Sequence, residues 1–216
     1  MARGYFITFE GGEGCGKSTQ LKKLQEYLSD CIDQFLFLRE PGGYPLCEDI
    51  RNLLLYADHN NMCEKTEFLL FSASRAELVN KVILPTLERG VTVICDRFYD
   101  SSIVYQGMAR GLGEDNVRNL TKFAVGDLTP DATIYLDIRP EVGFARKGGA
   151  DQTDRIEMAG LDFHNKVYEG YHKLAKEESG RFVVVDATKT PDEVFCSVLD
   201  GLKGKGIYLK NEQLNR

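Results

Sequence analysis

The 216-residue chain lacks an excess of positive charge, closely paired cysteines and any long apolar run. Its 27 Lys and Arg against 33 Asp and Glu give a formal net charge of −6, which argues against nucleic acid as a main partner. None of its six cysteines forms a CxxC pair, so we expect a reduced, cytoplasmic protein rather than a disulfide-stapled one. The first residues, MARGYFITFE, contain no apolar signal core, and no membrane-spanning segment is predicted.

Five short apolar runs, most of them separated by helical patterns, predict an α/β domain with a parallel sheet covered on both faces. The run VTVIC is continuous, as is typical of a strand buried on both faces. No repeat or low-complexity linker interrupts the chain, so we predict one domain over 1–216 with a loosely held tail at about 203–216. The predicted strands are 5–9, 34–38, 91–95, 132–138 and 181–187, and the predicted helices are 18–28, 46–56, 65–89 and 191–199.

The first predicted strand runs into a glycine-rich loop that matches GxxxxGK[ST] without a mismatch and leads into a helix. Glycines let successive backbone N–H groups point at phosphate oxygens, and the helix adds the positive end of its dipole. We expect Lys17 to reach the β- and γ-phosphates of ATP and the Ser18 hydroxyl to coordinate Mg²⁺. The predicted ATP-binding residues are Gly11, Gly12, Glu13, Gly14, Cys15, Gly16, Lys17, Ser18 and Thr19.

A phosphate loop alone fits kinases, GTPases and motor ATPases equally well. The guanine-reading pattern N-K-x-D is incomplete, because two near matches, at Asn80 and Asn165, both lack the aspartate. Asp96 ends a predicted strand and is a candidate for the acid on the metal side, with a strand-end cap as the alternative. The role of Glu10 is left open: its side chain could approach the metal or the arginines, or it could be structural.

A second anion site is indicated by arginines at predicted strand ends, where α/β sheets bind ligands. Arg39 follows one predicted strand and Arg97 follows another, while Arg75 lies in a helical stretch. A nucleoside monophosphate kinase needs such arginines, because it must hold two phosphorylated molecules in line and guanidinium groups clamp phosphate oxygens. Each arginine alone is more typical of a solvated surface position, but the placement of two of them directly after buried strands balances the two interpretations.

Six sequence blocks stand in order along the chain: FEGGEGCGKST, REPGG (39–43), LLFSASRAE (69–77), DRFYDSSIVYQGMARG (96–111), PDATIYLDI (130–138) and DRIEMAGLDFHNKVYEGY (154–171). Together they make the chain resemble the bacterial thymidylate kinases. The resemblance implies a P-loop NTPase fold with a mobile lid, and transfer of the γ-phosphoryl group from ATP to dTMP with Mg²⁺, giving dTDP for dTTP biosynthesis. It also implies a cytoplasmic homodimer.

The same resemblance implies a set of dTMP-binding residues. Arg39 and Arg97 would hold the phosphate, and Phe71 would stack on thymine. Tyr105 would lie under the sugar and exclude a ribose 2′-hydroxyl, whereas Glu13 would accept from the 3′-hydroxyl. Read alone, Phe71 and Tyr105 fit core aromatics better. The implied set is Glu13, Arg39, Pro41, Phe71, Arg75, Arg97, Ser102, Tyr105 and Gln106.

Phosphoryl transfer gains from a cation near the γ-phosphate, and one branch of the family carries that arginine in the phosphate loop. The loop of this chain has none, so the resemblance places the cation in a lid at about 146–156. Arg155 is the first candidate and Arg146 the second; a local ion pair at a helix start is the alternative for Arg155. With Lys17 and Arg97 they form the predicted catalytic set.

Two other functions remain open. A kinase for another nucleoside monophosphate would share the loop and the arginines, although Arg75, Tyr105 and Gln106 favour a deoxy-pyrimidine. A P-loop switch or nucleotide-binding module is disfavoured by the incomplete N-K-x-D and by the second arginine site.

Overall fold

The computed structural model describes residues 2–55, 62–147 and 159–210. Within these ranges five parallel strands form one sheet in the order β2-β3-β1-β4-β5, which confirms the predicted fold class. The chain leaves β1 toward one side of the sheet and later returns to its other side, so a crevice opens at the carboxyl ends of the central strands. The strands are β1 (Phe6–Glu10), β2 (Phe35–Arg39), β3 (Thr92–Asp96), β4 (Ala132–Asp137) and β5 (Phe182–Asp186).

The three inner strands are buried on both faces, whereas the edge strands β2 and β5 are half-buried. Because side chains alternate along a strand, β1 contributes to two apolar cores. Phe6 packs with Val93 on one face, and Ile7 packs with Ile94 on the other. Helices cover both cores, as the predicted parallel sheet requires.

The predicted helix 65–89 is continuous in direction but is not uniformly α-helical. A π-helical turn, Val79–Ile83, joins α3 to α4, and a second one, Ile103–Ala109, follows α5. Such turns often occur at functional sites, and the second carries Tyr105 and Gln106. The helices are α1 (Lys17–Tyr27), α2 (Pro45–Leu55), α3 (Glu64–Leu78), α4 (Leu84–Glu88), α5 (Tyr99–Ser102), α6 (Glu114–Val125), α7 (Pro140–Arg146), α8 (Leu161–Glu177) and α9 (Pro191–Gly204).

The start of the tail predicted at about 203–216 is packed rather than loose. Helix α9 extends to Gly204, Lys205 Nζ donates to the carbonyl oxygen of Ser179 at 2.8 Å, and Ile207 is buried. Residues 211–216 lie outside the described residues, as do residues 148–158, which include most of the lid predicted at about 146–156. Among the described residues, no helix combines the length and apolarity needed to cross a membrane.

Candidate active site

The loop after β1 has the backbone shape of an anion cradle. Gly11, Gly14 and Gly16 have φ angles of 147°, 68° and 94°, which side-chain-bearing residues rarely adopt. Helix α1 begins at Lys17, so the positive end of its dipole faces the loop. Lys17 Nζ donates to the carbonyl oxygen of Gly11 at 3.2 Å, which holds the ammonium group across the loop.

A first pocket opens in front of this loop. Of the predicted ATP-binding residues, all those from Glu13 to Thr19 line it, whereas Gly11 and Gly12 do not. An apolar wall follows β5, which suits a nucleotide base beside a phosphate cradle. This wall was not predicted, although a strand end followed by a helix starting at Pro191 marks such a position in sequence. The wall and its neighbours are Ala187, Lys189, Pro191 and Val194, and Arg146 and Lys147 also line the pocket.

Ser18 and Asp96, the predicted metal-binding residues, both line this first pocket. Oδ1 of Asp96 is buried without a hydrogen-bond partner, which is unusual for a carboxylate oxygen and suits a cation or its bound water. The described ranges contain no group of three or more His, Cys, Asp or Glu side chains placed to hold a metal. These residues fit Mg²⁺, which takes one or two protein ligands beside waters and substrate phosphates.

A second pocket brings together all the predicted dTMP-binding residues except Arg39. It also contains residues that the sequence did not reveal: Arg51 and Leu55 on α2, Glu40 after β2, and Ser101 on α5. The predicted residues in it are Glu13, Pro41, Phe71, Arg75, Arg97, Ser102, Tyr105 and Gln106.

Arg39 lies beside this pocket and is bound to a carboxylate. Its side chain is 51% exposed, and Nη2 donates to Glu48 Oε2 at 2.7 Å, while Glu48 Oε1 accepts from the Gly43 amide. Arg51 occupies the pocket wall instead, and its Nη1 donates to the carbonyl oxygen of Pro41 at 2.8 Å. Phosphate binding by Arg39 therefore stays a prediction, and Arg51 is a second candidate for that role.

Arg75 is fully buried at the deep end of the second pocket. Its Nε donates to Glu40 Oε2 at 2.8 Å and its Nη2 donates to Ser102 Oγ at 3.0 Å. Nη1 of Arg75, Oε1 of Glu40 and the hydroxyl of Tyr105 are all buried without partners, so the residues that line the pocket carry unused donors and an unused acceptor. Gln106 is held nearby by its hydrogen bond to Glu67. Burial raises the pKa of Glu40 to about 7, although Arg75 opposes the shift.

Arg97 lines the second pocket on the side of the phosphate loop, where it also lines the first pocket. Its Nη2 donates to Glu13 Oε1 at 3.2 Å, and its Nη1 lies within hydrogen-bond distance of Ser101 Oγ and Tyr171 OH. The guanidinium group also lies 5.2 Å from the ring centre of Tyr105, a distance at which a cation–π contact contributes. Several independent contacts thus fix this cation in one orientation.

The two pockets meet at Glu13, Arg51 and Arg97, which line both of them. Glu13 accepts from Arg97 and, through its other oxygen, from Lys147 Nζ at 3.1 Å. Burial raises the pKa of Glu13, but Arg97, Lys17 and Lys147 outweigh it and lower the pKa to about 2. The junction is therefore an ionised carboxylate surrounded by cations at neutral pH.

Glu13→Gln tests this charge arrangement through protein stability. The lowered pKa of Glu13 stabilises the fold above pH 4.5 and loses that effect as pH falls toward 2. The difference in unfolding free energy between wild type and variant should therefore shrink by about 2 kcal/mol from pH 6 to pH 3. Urea titrations measure it. Lys147→Met should weaken the dependence, and wild-type and Glu13→Gln curves that run parallel across this range would contradict the assignment.

Helix α7 lies directly against the phosphate loop through two glycines. A Cβ atom on Gly14 would lie 2.0 Å from the carbonyl oxygen of Gly143, and one on Gly143 would lie 2.1 Å from that of Glu13. At the end of α7, Arg146 donates to the carbonyl oxygens of Ala187 and Thr188 at 2.8 and 3.2 Å. Arg146 thus faces the wall after β5. The other predicted lid cation, Arg155, lies outside the described residues.

A phosphate loop, an aspartate at the end of the neighbouring strand and a second pocket lined with arginines are the arrangement of a P-loop kinase. A family model described as thymidylate kinase matches residues 9–198. The chain belongs to the thymidylate kinase family, which confirms the predicted resemblance.

Proteins named thymidylate kinase are similar to this chain over nearly its whole length. A thymidylate kinase of Thermoanaerobacter sp. is 48% identical over 202 residues, covering 93% of this chain and 98% of the relative. One from Finegoldia magna is 42% identical, covering 94% and 99%. The crystal structure of thymidylate kinase from Ehrlichia chaffeensis superimposes with a TM-score of 0.77 at 33% identity, covering 93% of this chain and 99% of that one.

Proposed function

We propose that this chain transfers the γ-phosphoryl group of ATP to dTMP, giving dTDP and ADP in dTTP biosynthesis. One observation carries the proposal: Glu13, Arg51 and Arg97 form a border shared by a phosphate-loop pocket and a second pocket. A switch needs only the first pocket, whereas a kinase needs two that meet where the phosphoryl group moves.

The donor would lie in the first pocket, with its phosphates on the loop Gly11–Thr19 and against Lys17. Ser18 and Asp96 would hold Mg²⁺, which when bound neutralises charge on the phosphate oxygens. The unpartnered Oδ1 of Asp96 supports this arrangement. The base would lie along the apolar wall after β5.

The acceptor phosphate would lie between Arg97 and Arg51, and Arg39 would join them only by leaving Glu48. Thymine would stack on Phe71 and receive a hydrogen bond from Arg75 Nη1, a donor without a partner in the lining of the pocket. Tyr105 would lie under the sugar, where a ribose 2′-hydroxyl would clash. The remaining predicted contacts are Pro41, Ser102, Gln106 and, to the 3′-hydroxyl, Glu13.

The cation that stabilises the transferring phosphoryl group would come from the lid, because the phosphate loop contains no arginine. Arg155 is the first choice and Arg146 the second. The hydrogen bonds of Arg146 to the carbonyl oxygens of Ala187 and Thr188 support that order, since they direct its guanidinium group toward the nucleoside side of the donor pocket.

Substrate preference tests the proposed function. With saturating Mg·ATP, a coupled ADP-release assay should give kcat/KM for dTMP at least roughly tenfold above that for dCMP or dGMP. Arg75→Lys keeps the buried charge but loses the forked donor, so the preference should shrink. dTMP alone should raise the thermal unfolding midpoint, as binding to the native state requires. Equal turnover of the three monophosphates, or no stabilisation by dTMP, would contradict the assignment.

We also infer that residues 1–216 form one domain that works as a cytoplasmic homodimer. Leu69 on α3 and Phe123 on α6 are 55% and 87% exposed, and these two helices contact each other. A contiguous exposed apolar patch marks a surface that a partner can cover. Light scattering should give twice the mass of the chain, and Phe123→Lys should lower it.

A further inference from the structure

Glu10 is a buried carboxylate that lines neither pocket in the described part of the chain. It ends β1, the central strand of the sheet, and has no solvent exposure. Burying a carboxylate is unfavourable unless hydrogen bonds replace the lost water. The partners of Glu10 therefore indicate what it does.

Three donors converge on Glu10 from two elements that are distant in sequence. The Phe98 amide donates to Oε1 at 2.8 Å, while Ser101 Oγ and Tyr171 OH donate to Oε2 at 2.6 and 2.7 Å. Each hydroxyl has a single hydrogen. Because each hydroxyl donates its hydrogen to Glu10, both hydroxyl oxygens are left to accept a hydrogen bond from another donor.

That other donor is Arg97. Its Nη1 lies 3.2 Å from Ser101 Oγ and 3.4 Å from Tyr171 OH, and a guanidinium group can only donate. The two hydroxyl oxygens also lie 3.0 Å from each other. With both hydroxyl hydrogens on Glu10, the donors run from Arg97 through the hydroxyls to Glu10. Hydrogen bonds aligned in this way reinforce one another in a buried setting.

Strand β1 also fixes the backbone of Arg97. Within the described ranges Arg97 is the non-glycine residue with positive φ, at 69°, a strained conformation that persists only where its surroundings impose it. The Arg97 amide donates to the carbonyl oxygen of Phe9 at 2.9 Å, and the Phe98 amide donates to Glu10. The Cα atom of Arg97 thus lies between two backbone amides, its own and that of Phe98, and both donate hydrogen bonds to residues of β1.

We propose that Glu10 is a positioning residue for the acceptor phosphate, because it fixes the turn and the guanidinium orientation of Arg97 without touching substrate. The inference rests on the proposed function, in which Arg97 binds that phosphate. Asp100 gives a contrast: it is equally buried, but Arg181 pairs with it at 2.7 Å, away from the pocket.

Glu10→Gln tests the role, since it keeps the volume and replaces one acceptor oxygen by a donor. We expect KM for dTMP to rise about tenfold or more while KM for ATP stays within about twofold, as for a misplaced binding group. Tyr171→Phe keeps the ring that stacks on Tyr135 and should give a smaller rise. In the Glu10→Gln background it should add little, because both changes break the same connection.

Thr8→Val is the matched control. Thr8 is buried two residues earlier on β1, and its hydroxyl contacts Thr133 rather than the Arg97 turn. It should lower the thermal midpoint and leave KM for dTMP unchanged. If Glu10→Gln behaves like Thr8→Val, or raises both KM values equally, the positioning role is wrong.

Two further outcomes are distinguishable from these. If wild-type protein does not phosphorylate dTMP, the proposed function fails and this inference fails with it. If Glu10→Gln does not fold, Tyr171→Phe and Ser101→Ala carry the test, and an unchanged KM for dTMP in both would overturn the proposal.

Discussion

Arg97→Ala is expected to lower kcat/KM for dTMP by about 10³-fold or more while the protein remains folded. An arginine that faces a transferring phosphoryl group contributes on this scale, and Arg97 lies on the border of both pockets. In the variant Glu13 keeps Lys147 as a partner, and the buried Glu10 loses the nearby cation but keeps its three hydrogen-bond donors. The coupled ADP-release assay measures the loss, and circular dichroism checks the fold.

Two variants make this result specific. Arg97→Gly should be equally inactive although glycine accepts a φ of 69°, which separates the side chain from the backbone strain. Arg118→Ala removes a partly buried arginine that pairs with Glu178 far from the pockets, and activity should stay within about twofold. Near wild-type turnover of Arg97→Ala would remove Arg97 from the site.

Lys17→Ala is expected to lower kcat by about 10³-fold and to raise KM for ATP, because the loop loses the cation that contacts the β- and γ-phosphates. Lys17 is not among the described residues that line the second pocket. Stabilisation by dTMP in a thermal shift assay should therefore be retained, whereas stabilisation by Mg·ATP should be lost.

Lys22→Ala is the matched control for this experiment. Lys22 lies on the same helix with its side chain 79% exposed, beside Glu26. Both variants place an alanine in α1, so any effect of helix propensity is shared. Equal losses in the two variants, or loss of dTMP binding in Lys17→Ala, would show that the lysine acts on α1 rather than on the donor.

The strands could be predicted closely because buried parallel strands need continuous apolar sequence. Predicted runs 5–9 and 91–95 correspond to Phe6–Glu10 and Thr92–Asp96. Each observed strand lies one residue later than the predicted one, and this has a physical reason. The last residue of each strand is charged, so a prediction based on hydropathy leaves it out of the strand. In the structure these charged residues belong to the ladder, where Phe9 pairs with Asp96 and Glu10 with Tyr135.

Residue chemistry alone predicts the site only where it is local or where it follows a strand, whereas the helix residues Phe71, Tyr105 and Gln106 were predicted from the family resemblance. The phosphate loop is one contiguous motif, and Arg97 directly follows β3. Arg51 has neither signal, since its place in the pocket depends on how α2 packs on α3, where Cys47 Sγ donates to the carbonyl oxygen of Ser74 at 3.2 Å. The role of Glu10 likewise depends on donors 88 to 161 residues away.

The contact between Gly14 and Gly143 sets the helical phase of the rest of α7 and of Lys147, the residue that caps it. With two backbones this close, α7 cannot rotate or slide against the phosphate loop, so the angular position of each later residue is counted from Gly143. Lys147 faces Glu13 because it stands four residues, about one turn, beyond that contact. Adding or removing one residue between them would turn the side chain by about 100°, so segment length is here as much a determinant of the site as residue identity.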